Sequence, residues 1–207
     1  MIDLYSSATP NGRKISIMLE ELGVQYNVIH IDLKKKEQFS DVFSKISPSN
    51  KIPVIVDNDK SITVFESGAI LLYLAEKYDK FINKNHYWQI VQWLFFQMSY
   101  VGPMLGQAHQ YLFYNAGKSK FAEEKSKDYT QHAYQILNKR LSTREYMVDE
   151  YSIADISIWP WIARFERHQI NLSEYPNVLR WYLKISNRAA VIKGYNVVGD
   201  YYEIPTV

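Results

Sequence analysis

The stretch Thr9-Pro10-Asn11-Gly12 combines residue types and spacing that suit the handling of an anion. Thr9 can cap a helix whose first residue is Pro10, a position where the missing N–H costs nothing. A helix N-terminus carries about half a positive charge and exposes unpaired amides, so it stabilises negative groups. A thiolate is one such group. A free thiol titrates at about 8.5 and is only a few per cent ionised at neutral pH. Hydrogen bonds from Thr9 and the Asn11 amide would lower that value. Taken alone, the same two residues read more simply as a cap and a turn former.

Three further features stand at strand and helix junctions. Pro53, in Asn50-Lys51-Ile52-Pro53, enters a strand, so it is either an edge device or half of a cis peptide. A cis Ile52–Pro53 bond would aim the Ile52 N–H and C=O outward, where an extended peptide can pair with them. In Phe65-Glu66-Ser67 a strand runs straight into a helix. Glu66 offers a carboxylate to an ammonium, and Ser67 with the first helix amides offers donors to a carboxylate. Together they match the α-amino and α-carboxylate groups of one amino acid. Gln38, with Lys35 and Lys36 nearby, can reach a second carboxylate.

Other chemistries are excluded. There is no cysteine, so disulfides, thiolate metal sites and cysteine nucleophiles are absent. His30, His86, His109, His132 and His168 include no pair three or four apart, and no metal site is expected. With 24 basic and 22 acidic residues, the net charge of +2 leaves no broad footprint for nucleic acid or a membrane. Lys34-Lys35-Lys36 reads as a solvated loop. No apolar run approaches the roughly 20 residues of a membrane span. Met1-Ile2-Asp3-Leu4-Tyr5 lacks the marks of a signal peptide, so a cytoplasmic location is expected.

The elements that must position these residues fall into two halves. Ile2 and Leu4 begin a strand; Ile15, Met18, Leu19 and Leu22 form one apolar helix face closed by Gly23; residues 26–31 read as a second strand. A short helix is expected within 39–46. Val54-Ile55-Val56 and Ile62-Thr63-Val64-Phe65 form a hairpin, and Ser67 caps a helix carrying Ile70, Leu71, Leu74 and Ala75. That order, βαβ then ββα, is a thioredoxin-like α+β domain over residues 1–78. A linker at 79–85 follows, and 86–207 read as an all-helical domain in which strand signals vanish. Ser152-Ile153-Ala154-Asp155 is a capping box. Tyr5 and the five tryptophans, Trp88, Trp93, Trp159, Trp161 and Trp181, read as packing residues.

On these residues the whole chain resembles the cytosolic glutathione transferases, in particular the bacterial nu-class group that includes glutathione-dependent disulfide-bond reductases. The resemblance runs through Ile2-Asp3-Leu4-Tyr5, Thr9-Pro10-Asn11-Gly12, Ile46-Ser47-Pro48, Asn50-Lys51-Ile52-Pro53 and Phe65-Glu66-Ser67-Gly68-Ala69-Ile70. It continues through Gly102-Pro103-Met104-Leu105-Gly106-Gln107, Leu137-Asn138-Lys139-Arg140-Leu141 and Tyr151-Ser152-Ile153-Ala154-Asp155. It implies a glutathione transferase fold, a homodimer, and glutathione as cosubstrate with no metal. It implies that Thr9 and Asn11 hold the sulfur, and that Gln38, Lys51, Ile52, Pro53, Glu66 and Ser67 bind the rest of the tripeptide. Lys125 stands where the family has a binding arginine, a point charge in place of a bidentate fork. The implied activity is reduction of small disulfides, including peroxide-linked variants. Conjugation of glutathione to an electrophile is the alternative enzymatic reading. A non-catalytic regulator, such as a fungal nitrogen regulator of similar fold, is the alternative outside catalysis.

Overall fold

The computed structural model of the chain describes residues 1–199 and 202–207. Its strands are β1 (Ile2–Ser6), β2 (Tyr26–His30), β3 (Val54–Asp57) and β4 (Ile62–Phe65). Its helices are α1 (Pro10–Leu22), α2 (Asp41–Ser44), α3 (Ser67–Tyr78), α4 (Tyr87–Phe96), α5 (Gly102–Ala108), α6 (Lys120–Arg140), α7 (Ile153–Ile162), α8 (Pro176–Ser186) and α9 (Ala189–Tyr195). Two compact units form, Met1–Ile82 with Asn187–Ile204, and Asn83–Ser186 with Pro205–Val207.

In the first unit the sheet order is β2-β1-β3-β4. β1 runs parallel to β2 and antiparallel to β3, and β3 and β4 form the expected hairpin. This is the thioredoxin-like arrangement. The apolar residues of β1 and β3 (Ile2, Leu4, Val54, Ile55) are buried with Ile15, Met18 and Leu19 of α1 and Ile70, Leu71 and Leu74 of α3. A smaller cluster of Ile31, Phe43 and Val54, flanked by Tyr5, Ile29, Leu33, Ile46 and Ile52, anchors the α2 segment. Asp57, at the far end of β3, accepts from the Tyr73 hydroxyl at 2.5 Å and pairs with Lys77, which ties α3 to the sheet.

Helix α1 departs from its amphipathic pattern. Residues 12–19 are all buried, not one face of them. The cause is α9, which packs on the side of α1 away from the sheet, although the division at residue 86 assigned it to the helical part. Gly194 makes this approach possible: a Cβ there would lie 2.6 Å from Ile17 Cα. Ser16 Oγ donates to Gly194 O at 2.5 Å, and Arg188 pairs with Glu21 through Nε at 2.6 Å and NH2 at 2.8 Å.

The second unit is helical. Asp155 organises its centre: its carboxylate accepts from Met147 N (2.8 Å), Ser152 N (3.1 Å), Ser152 Oγ (3.2 Å) and Trp181 Nε1 (2.8 Å). The capping box expected at Ser152 is present. Burial pushes the Asp155 carboxyl up to about 6, with those four donors opposing the shift. Trp159, Trp161 and Trp181 are core residues and Trp93 is half-buried, but Trp88 is not: it is 73% exposed. Trp88 shares the outer face of α4 with Phe95, one heptad on and 63% exposed, so periodicity placed it on an apolar face that the unit does not itself cover.

Because four donors depend on one carboxylate, Asp155→Ala should destabilise the chain by about 3 kcal/mol or more. Urea unfolding of the full chain measures this; a cost below about 1 kcal/mol would mean that water serves those donors equally well.

Candidate ligand site at the end of the sheet

The strand register builds the site. Tyr5 pairs with Ile29 and with Val54, and Val54 in turn pairs with Phe65. The chain therefore leaves β1, enters β3 and leaves β4 at one end of the sheet. The loop before α1, the segment 50–53 and the Glu66–Ser67 junction are brought together there. A cleft at this end is lined by Asn11 from α1, by Ser49, Lys51, Ile52 and Pro53, and by Glu66 and Ser67. Two helices, α1 and α3, present their N-terminal turns to it, which gives the cleft a positive bias.

Thr9 is the N-cap of α1, in extended backbone, and its Oγ1 accepts from Gly12 N at 3.1 Å. That contact uses the oxygen as acceptor and leaves the hydroxyl proton to be donated. Gly12 is required by close approach, since a Cβ would lie 2.2 Å from Ser7 O. The β3 entry is braced by Ser47, a buried residue whose Oγ accepts from Lys51 N (3.0 Å) and donates to Lys51 O (2.8 Å). Asn50 N bonds Ser47 O at 2.9 Å, with Asn50 at φ 54°. The Ile52–Pro53 bond is cis. The ladder starts at Val54, so the Ile52 main-chain groups precede it.

At the third junction the residue roles differ from those expected. Glu66, not Ser67, holds the cap position of α3, and its side chain makes no capping bond. Glu66 adopts φ 67°, ψ 119°, a region that costs a non-glycine residue about 1–3 kcal/mol. Its carboxylate is exposed at the cleft, while Ser67 is buried as the first helical residue. Beneath them lies a residue the sequence reading passed over. Lys14 is 1% exposed, and its Nζ stands 3.2 Å from Ser67 Oγ. The signal was present: Lys14, Met18 and Leu22 lie at i, i+4 and i+8, so a lysine stands on the buried stripe of α1.

Not every expected residue lines this cleft. Thr9 and Gln38 do not. Gln38 is on the turn Glu37–Phe39, and its Oε1 is buried with no hydrogen-bond partner among the described residues. Lys125 is exposed on α6, in the second unit. Tyr5 packs against Phe43, with ring centroids 6.3 Å apart. His109, which follows the Gly-Pro-Met-Leu-Gly-Gln stretch, is buried in the second unit and stacked with Trp161 (5.5 Å) and with His168 (4.9 Å). Burial, with Arg167 and Arg164 nearby, holds its imidazole down at about 4. Among the described residues no group of three His, Asp or Glu could hold a metal ion, and no helix is long and apolar enough to cross a membrane.

A thioredoxin-like unit with this cleft, followed in the chain by a helical unit, points to one protein family. The sequence patterns for the glutathione S-transferase N-terminal and C-terminal domains match residues 2–76 and 96–189. The chain belongs to the glutathione S-transferase family and is an enzyme of that family. It is 44% identical over 198 residues to the disulfide-bond oxidoreductase YfcG of Escherichia coli (strain K12), a match covering 92% of each chain. Among solved structures it is similar to a glutathione transferase from Pseudomonas putida with one glutathione disulfide bound per subunit. That likeness has a TM-score of 0.91 and 36% identity, covering 96% of this chain and 92% of that one. It is also similar to a glutathione transferase from Burkholderia graminis with two glutathione molecules per subunit, at TM-score 0.89 and 35% identity, covering 95% and 88%.

Ser47→Ala removes both hydrogen bonds that brace Lys51 in a buried position and should cost about 2 kcal/mol of stability. Chemical unfolding checks this; an unchanged midpoint would show that the segment 47–53 is held by other contacts.

Proposed function

We propose that the chain is a glutathione-dependent oxidoreductase that reduces small disulfides, and peroxides where they serve as the oxidant. The observation that carries the reading is one cleft bringing together Asn11, Ile52, Glu66 and Ser67 in a chain that has no cysteine. Thr9 and Asn11 hold the glutathione sulfur as thiolate. Ile52 pairs through its main chain, beside Pro53, with the extended tripeptide. Glu66 and Ser67 take the ammonium and carboxylate of the γ-glutamyl end, and Lys51 and Gln38 serve the remainder.

The chemistry follows from thiol–disulfide exchange. The bound thiolate attacks one sulfur of the substrate disulfide, forming a mixed disulfide and releasing the other sulfur as thiolate. A second thiol must then attack the glutathione sulfur of that mixed disulfide. Because this chain offers no thiol, that second nucleophile is another glutathione, and glutathione disulfide is the product. Conjugation to an electrophile would use the same thiolate. The likeness to YfcG, a disulfide-bond oxidoreductase by name, and to a structure holding glutathione disulfide favours reduction.

The test is glutathione-dependent reduction of 2-hydroxyethyl disulfide before and after the protein is treated with iodoacetamide and the reagent removed. Activity should survive alkylation. Replacing Thr9 and Asn11 together with Ala should lower turnover by roughly 10- to 150-fold for each charge-assisted bond lost, whereas Tyr5→Phe should retain it. No reduction, alongside robust conjugation of 1-chloro-2,4-dinitrobenzene, would move the assignment to a conjugating transferase.

We also propose that the chain acts in the cytoplasm as a homodimer, with the exposed aromatic face of α4, Trp88 and Phe95, supporting a second copy as partner. Sedimentation at micromolar concentration should give a two-chain species; a single-chain species alone would refute it.

A further inference from the structure

Two buried cations, Arg13 and Lys14, head α1. They face different ways. Arg13 Nε donates to Tyr195 O at 2.9 Å, and its guanidinium lies 3.6 Å from the centre of the Tyr195 ring, so it serves the packing of α9. Lys14 is directed to Ser67 at the cleft. A position on the stripe of Met18 and Leu22 would accept an apolar side chain, and burying an ammonium there costs stability except where hydrogen bonds and opposite charge offset it. An ammonium has three protons and no lone pair, so in this contact the Ser67 oxygen accepts.

We propose that Lys14 is a positioning residue of the cleft: it donates to the Ser67 oxygen and sets a cation beneath the Glu66–Ser67 junction, so that this subsite selects a ligand whose carboxylate stands beside its amino group. The inference rests on the glutathione reading, in which that end is the α-amino acid head of the γ-glutamyl residue. The electrostatics agree with the geometry. Burial holds the Lys14 amine well below the ordinary lysine value, and the Glu66 carboxylate acts the other way. A ligand carboxylate on Ser67 adds a second negative charge close to Lys14 and favours its charged form further. Glu66 alone would take an ammonium without regard to what stands beside it; Lys14 supplies the opposite preference next to it.

The experiment is calorimetric titration of the full chain with glutathione and two analogues. 4-Aminobutyryl-cysteinylglycine lacks the α-carboxylate, and glutaryl-cysteinylglycine lacks the α-amino group. Lys14→Met should weaken glutathione and glutaryl-cysteinylglycine by about ten-fold or more. Binding of 4-aminobutyryl-cysteinylglycine should stay within about two-fold of the unmodified chain, because it has no carboxylate for the subsite to select. Equal weakening of all three ligands, or of none, overturns the proposal. Lys14→Gln, which keeps an N–H donor without the charge, carries the same test should Lys14→Met not fold: selective loss on the two carboxylate-bearing ligands supports the assignment, and uniform or absent loss overturns it. If the unmodified chain binds none of the three, the glutathione reading itself fails and this proposal with it. If the unmodified chain binds and the variants lose affinity without selectivity, the assignment to Lys14 alone is wrong.

Discussion

A hydroxyl is a dependable donor to an anion only when its oxygen already has a donor of its own, for otherwise the group rotates freely between giving and accepting. Two hydroxyls at this sheet end meet that condition. Thr9 Oγ1 accepts from Gly12 N, and Ser67 Oγ accepts from Lys14 Nζ. One is arranged locally, within a single helix turn; the other depends on a lysine 53 residues earlier in the chain. Both stand at helix N-termini whose amides add to the same field. The positive field at this sheet end is therefore a property of the packed unit, and no single side chain possesses it.

That arrangement rests on α1 being held from both sides. The sheet and α3 bury one face, and α9 buries the other through the close approach at Gly194 and the Ser16 and Arg13 contacts. A helix so enclosed can carry a lysine on its buried stripe without letting it reach water. The strain at Glu66 has the same support: β4 ends in register with β3, and α3 begins at once, tied down at its far end by Asp57. The backbone between them has little freedom to relax out of its positive φ, and the carboxylate is left at the cleft.

The legible part of this protein was the part written in local rules. Pro10 after Thr9, Gly23 after Leu22, the polar turn between β3 and β4, and the Ser152–Asp155 capping box each determine their own geometry within four or five residues, and each formed as read. The misreadings have a common cause. Ser67 looked like the cap because serine caps well, but the strand delivers Glu66 into that position. Trp88 looked like core because its spacing is apolar, yet periodicity gives a face and not what covers it. Lys14 was passed over because a charged residue on an amphipathic helix is ordinarily read as solvent-facing.

What the amino-acid sequence determined by itself was the order and type of the elements in the first unit, the residues available for chemistry, and the absence of any thiol from the chain. These depend on side-chain type and on spacings of two or three to four residues, which act over one turn or one strand. What only the tertiary structure decided was which of those residues meet. Strand register aligned Tyr5, Val54 and Phe65, and so joined three junctions spread over residues 9–67; α9 turned an amphipathic helix into an enclosed one; and Lys14 found Ser67. Such meetings are set by long-range packing, where the loss of chain entropy is recovered only when the whole unit closes, and no local pattern of residues encodes them.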